Sequence, residues 1–136
     1  MKRSAKFPYL FIFILVILCF LGCNDRFNGD LTSVPPSKIY TVEQLISEHQ
    51  SNNKTDIEVV IAIEGIVHEI NNFNDRYTIL LKGDKVSETY VICDMNTNHI
   101  NTTKTVKSGD SIVVKGLLKG FLKDAIMLNC VVIKTE

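Results

Sequence analysis

The 136-residue sequence has no excess charge of either sign, with 15 basic residues against 15 acidic ones. Proteins that hold nucleic acid without sequence preference need a basic stripe, because phosphate contacts carry most of that affinity. Nucleic acid is therefore a disfavoured partner. The longest apolar run, Phe7 to Leu21, has 15 residues and contains Pro8. A helix that crosses a bilayer needs roughly 20, so a spanning segment is disfavoured as well. No CxxC pair or His cluster has metal-ligand spacing, since His49, His68 and His99 lie far apart. There is no nucleophile elbow, and Gly109, Gly116 and Gly120 do not build a phosphate-cradling loop. Neither a catalytic set nor a cofactor is indicated, and internal repeats are lacking.

What is present begins with Lys2, Arg3 and Lys6 ahead of that apolar run, followed at once by Gly22 and Cys23. A basic start, a short apolar core and a small residue at the end form a secretory signal. The tetrad Phe20-Leu21-Gly22-Cys23 resembles the lipobox of bacterial lipoproteins, although Phe20 stands where leucine is usual. That resemblance implies cleavage between Gly22 and Cys23 and acylation of Cys23, which becomes the first residue. Two or three acyl chains anchor stably where one is marginal. The expected location is a bacterial cell envelope, lipid-anchored, with the domain in the periplasm or at the cell surface.

Residues 1–22 carry three basic residues and no acidic ones, so the remaining 114 hold 12 against 15, a net charge of −3. Of four cysteines, Cys19 leaves with the signal and Cys23 takes lipid. Cys93 and Cys130 remain, an even pair in an exported setting. Residues 24–37 are rich in Asn, Asp, Gly, Ser and Pro, which reads as a flexible tether. The organisation expected is a signal at 1–22, a lipidated tether at 23–38 and a single domain at 39–136.

Within that domain, Thr41 and Gln44 have capping-box form, and Val42, Leu45, Ile46 and His49 recur at helical spacing. A short helix is expected over about 41–50. The stretch 56–70 alternates as a long strand with Gly65 in its middle, a position that often marks a bulge or bend. Four further strands are expected at 76–83, 86–95, 111–118 and 125–134, with the widest gap, polar, at 96–108. Five strands, the first long and bent, with a long connection after the third match the five-stranded Greek-key barrel, the OB-fold, giving an all-β class with one leading helix.

The pieces "YxILL", "YVICDM", "SGDSIVVKG" and "AIMLNCVVI", behind a first strand of the form "VxIEGIV", make the run Tyr40 to Ile133 similar to the tRNA-anti-like group of OB-fold domains. This resemblance implies a fold and a compartment, without a defined activity.

Strand parity points Cys93 and Cys130 into the barrel from neighbouring strands, leaving two alternatives: a disulfide across the seam, or two buried thiols acting as small hydrophobes. In OB-folds the second and third strands form the ligand face. Candidates there are Phe73 in the first loop, Tyr77, Tyr90, Phe121 and Lys82. The leading expectation is a non-enzymatic binding module held at a membrane and contacting an envelope protein. The alternatives are an oligosaccharide- or single-strand-binding domain and a lipid-tethered structural spacer. An exposed aromatic cluster rimmed by positive charge would favour the ligand groove.

Overall fold

The computed structural model describes residues 29–52, 55–85 and 88–135. The expected signal, its expected cleavage site at Gly22 and the expected lipidation at Cys23 lie outside the described residues. Among the described residues six strands and two α-helices follow one another: β1 (Ile39–Thr41), α1 (Val42–Asn52), β2 (Val59–Phe73), β3 (Arg76–Lys82), β4 (Val91–Met95), α2 (Ile100–Thr105), β5 (Ser111–Phe121) and β6 (Ala125–Thr135). Strands pair in the order β1-β2-β3-β4-β6-β5, and β2 also pairs with β5. That extra pairing closes β2–β6 into a five-stranded barrel, the OB-fold.

Closure depends on β2 serving two neighbours. Its first half runs antiparallel to β5, from Val59 opposite Leu118 to Ile66 opposite Ser111. Its second half runs antiparallel to β3, from Ile66 opposite Lys82 to Phe73 opposite Arg76. The strand bends where the pairing changes, and there Gly65 leaves little room for a side chain: a Cβ would lie 3.0 Å from Val42 Cγ2 and 3.1 Å from the Lys82 carbonyl. The bulge itself falls three residues later, at His68, between the registers of Val67 and Glu69. The strand starts at Val59, with Glu58 in the left-handed region, and runs on through 71–73 to a two-residue turn. Asn74 and Asp75 take φ of 50° and 61°, the turn that suits the twist of a tight hairpin.

Helix α1 forms as its capping box prescribes. The Gln44 N–H donates to Thr41 Oγ1 at 3.2 Å, and the Thr41 N–H donates to Gln44 Oε1 at 3.0 Å. Val42 and Leu45 are buried against the barrel, and the His49 ring stacks on Phe121 at 3.7 Å. The core inside the barrel draws on every strand, including Ile61, Ile63, Ile79, Leu81, Val114, Leu118 and Met127.

Four features depart from the sequence expectations. Residues 30–38, read as flexible tether, form a strap across the outside of the barrel. Asp30 caps a 3-10 turn at Leu31–Ser33, Leu31 is buried, and the Ser37 N–H donates to the Val60 carbonyl. The strap then enters β1, parallel to β2. This cover explains why Val60, Ala62, Lys115 and Leu117, on the outer side of their strands, are buried too. The fourth expected element, residues 86–95, is shortened to β4, so Tyr90 precedes the strand. The polar gap at 96–108 holds a 3-10 turn at Thr97–His99 and α2, fastened by buried Thr103 and Val106.

Candidate functional site

Cys93 and Cys130 are free, fully buried thiols on parallel neighbours β4 and β6. The disulfide is not formed. In register, Cys93 faces Met127 and Cys130 faces Met95, so the two residues are not directly opposite each other on the seam. Burial first, and then a hydrogen bond with Cys93, push the Cys130 thiol well above its ordinary range. Gly116 lets the chains close here, because a Cβ on it would lie 2.5 Å from Cys130 Sγ. The pair belongs to the core.

The five expected ligand-face residues are not brought together. Tyr77 packs against the core, and Phe121 is held under His49. Tyr90 stacks on His68 with ring centroids 4.9 Å apart. Lys82 ends β3, in register with Ile66. Phe73 is 78% exposed and opposite Arg76, at the far end of β3 from Tyr90. Leu81 pairs with Val91, so the two aromatics are separated by about five residues of strand, roughly 17 Å.

Beside Phe73 the surface opens into a polar groove of about 650 Å³. Three separated segments build it: the Asn74–Asp75 turn with Arg76, the end of β4 with the turn that follows, and Asn129 in β6. Each is held by a distinct local device. Asn129 has φ of 58°, in an irregular stretch of the β5–β6 register, and this aims its side chain away from the ladder. Asn96 is 8% exposed and caps the 3-10 turn, its Oδ1 accepting from the Asn98 N–H at 2.8 Å. Its Nδ2 donates to Asn129 Oδ1 at 2.7 Å, and Asn129 Nδ2 donates to the Gly29 carbonyl at 3.0 Å. An amide relay thus connects the groove to the start of the strap. Next to it, His99 Nε2 lies 3.0 Å from Asp30 Oδ1. The Thr32 N–H first, and His99 further down, hold the Asp30 carboxyl below its ordinary value.

Arg76 is the groove's cation, and it is engaged. Its Nε and Nη2 donate to the two carboxylate oxygens of Asp94 at 3.1 and 2.7 Å, a bidentate pair that raises the Arg76 pKa. With Asp75 also present, the lining carries one positive and two negative groups. By contrast, the side chains of Asn74, Thr97 and Asn98 are exposed and have no hydrogen-bond partner among the described residues. These groups can donate and accept without charge.

Sequence reasoning did not find this groove, because its parts, at 74–76, 94–100 and 129, are far apart in the chain and none is aromatic. One signal existed: Asn129 interrupts an otherwise apolar run, Ala125 to Ile133.

Comparison with known proteins gives a consistent fold. The tRNA_anti-like family model matches residues 1–132. A crystal structure of a proposed nucleic acid-binding lipoprotein from Klebsiella pneumoniae subsp. pneumoniae MGH 78578 superposes with a TM-score of 0.61 at 10% identity. The match covers 71% of this chain and 91% of that one. Less similar are an OBody, AM1L10, bound to hen egg-white lysozyme (TM-score 0.45, 8% identity, 57% and 81% of the two chains) and the S. pombe Stn1–Ten1 complex (0.41, 14%, 57% and 56%). No curated protein matches the chain.

Proposed function

The chain belongs to the tRNA_anti-like family of OB-fold domains, and from that premise we propose that it is a non-enzymatic binding module, anchored in a bacterial envelope by acylated Cys23. Its groove contacts another envelope component. The observation that carries this reading is the groove itself: uncommitted amide and hydroxyl groups presented on a rigid barrel, beside the segment that leads back to Cys23. Recognition sites of this kind combine a mostly preformed surface with a few convergent polar groups. A lipid-tethered spacer would not need three separate segments held open around unpaired side chains. The mature net charge of −3 and the Arg76–Asp94 pairing favour a partner other than nucleic acid.

Site-specific photocrosslinking in intact envelopes tests this. A photoreactive residue at Thr97 is expected to give a recurrent adduct, and one at Ser51, on exposed α1, none. Cys23→Ser should remove lipid labelling, leave the full-length precursor and abolish the Thr97 adduct. Absence of a recurrent adduct at Thr97, or an equal one at Ser51, would sink the reading.

A further inference from the structure

The groove's chemistry narrows its ligand, on the assumption that it is the binding surface proposed above. We infer that it takes an uncharged, hydroxyl-rich saccharide at the surface of the membrane that carries the protein. Three observations converge on this.

The first is charge. Asp94 engages Arg76 through Nε and Nη2, and with Asp75 the lining is left slightly acidic, so phosphate and carboxylate ligands are disfavoured. What remains are Asn74, Thr97 and Asn98, whose amide and hydroxyl groups both donate and accept. Sugar hydroxyls also do both. Asn96 and Asn129 are committed to the relay and hold the lining in place. A volume of about 650 Å³ falls within the roughly 300–1,000 Å³ of small-ligand sites, enough for a short glycan segment.

The second is the adjoining aromatic. Phe73 and Arg76 are opposite each other across the β2–β3 hairpin, so their side chains share a face. Arg76 lines the groove, and Phe73 is 78% exposed. An aromatic face carries negative charge density and accepts the C–H face of a sugar ring lying across the rim.

The third is position. The relay ends on the Gly29 carbonyl, and only residues 24–28 separate Gly29 from Cys23. Six Cα steps span about 20 Å at full extension. The groove therefore cannot be far from the anchored lipid, and a glycan on that surface, or the headgroup of a neutral glycolipid within it, lies in reach.

The test uses full-length acylated protein in phosphatidylcholine nanodiscs. One arm adds an array of neutral oligosaccharides, the second adds digalactosyl diacylglycerol to the nanodisc, and the third adds the oligonucleotide dT12. Saturation-transfer NMR is expected to show at least one neutral saccharide bound and no dT12. Binding in the first arm identifies a free glycan, and binding confined to the second a lipid headgroup. Asn98→Ala and Phe73→Ala, both at exposed side chains, should each weaken binding about tenfold, the loss of about 1.4 kcal/mol. No neutral saccharide bound at millimolar concentration, tighter binding of dT12, or unchanged affinity in both variants would overturn the inference. If the Thr97 crosslink persisted in such a case, only the ligand class would be wrong; without that crosslink the binding-module reading would fall too.

Discussion

Among the described residues two apolar clusters hold the fold together, and they are built on different principles. The larger fills the barrel and draws side chains from every strand and from α1. The smaller lies outside the barrel, where Leu31 and Val34 of the strap cover Val60 and Leu117. Removing a residue from the first disturbs neighbours that are far apart in sequence. The second closes against a strap that also leans on a few hydrogen bonds, among them two from Lys115 Nζ to the Thr32 and Val34 carbonyls at 2.7 and 3.0 Å. Local opening is cheapest where few buried contacts hold a segment. The comparison teaches that the inner cluster sets the fold, whereas the outer one sets how the strap lies beside the groove. The strap is the piece of chain that runs from beside the groove's amide relay, at Gly29, to β1.

The largest expected difference comes from truncating one residue in each cluster. Ile63→Ala, inside the barrel and fully buried, should cost about 2–5 kcal/mol of global stability, read as a lower urea midpoint with an unchanged slope. Leu31→Ala should cost less than about 2 kcal/mol, because a strap can settle onto the space or lift locally where a barrel wall cannot. Equal costs would place the strap in the same cooperative unit as the barrel and erase the distinction.

The same contrast decides what could be read from sequence. The strands around the inner core were legible because each alternates, and because turn residues such as Gly109-Asp110 separate them. The leading helix was legible through Thr41 and Gln44, which make the bonds their spacing implies. The strap was not, because Leu31 and Val34 are isolated apolar residues in a polar stretch, and their partners lie on β2 and β5. Val60, Ala62 and Leu117 broke the alternation of their strands, and that was the trace the strap left in the sequence. Helix α2 escaped for a similar reason: its six residues, INTTKT, show no apolar period. The groove was least legible of all. Asn74, Asn98 and Asn129 meet through strand register and left-handed backbone, neither of which local composition displays.

A sharper test of the strap is Lys115→Met, which keeps the length of a buried side chain and removes its donor. Lys115 is 5% exposed, and the two carbonyls it serves would lose a partner. Thr32 is exposed and Val34 half-buried, so the freed carbonyls can turn to water and the loss is about 0.5–1.5 kcal/mol, the net worth of an ordinary hydrogen bond. Since the loss falls on the strap, faster hydrogen exchange is expected first at the Val34 and Ser37 amides, which donate to the Leu31 and Val60 carbonyls. Amides of β3 and β4 should keep their protection. Uniform loss across the barrel would show that Lys115 supports the fold rather than the strap alone.

The smallest effect is expected at Asp30, where the strap begins. Its Oδ1 accepts from the Thr32 N–H at 2.9 Å and lies 3.0 Å from His99 Nε2. The Thr32 contact is the first cause of the carboxyl's lowered pKa, with His99 a lesser one. A carboxyl held below its unfolded value stabilises fully above that value and loses its contribution as pH falls through the folded one. The window is therefore below the ordinary 3.8. NMR should show the Thr32 amide shift titrating with a midpoint under 3.8 in the native chain, with no such titration in Asp30→Asn. The contact is exposed, so added salt should weaken its ionic part but spare the cap, which depends on a hydrogen bond. A midpoint at or above 3.8 would mean that the strap's first turn is open in solution, and the groove's link to the start of the strap would then rest on Asn129 and Gly29 alone.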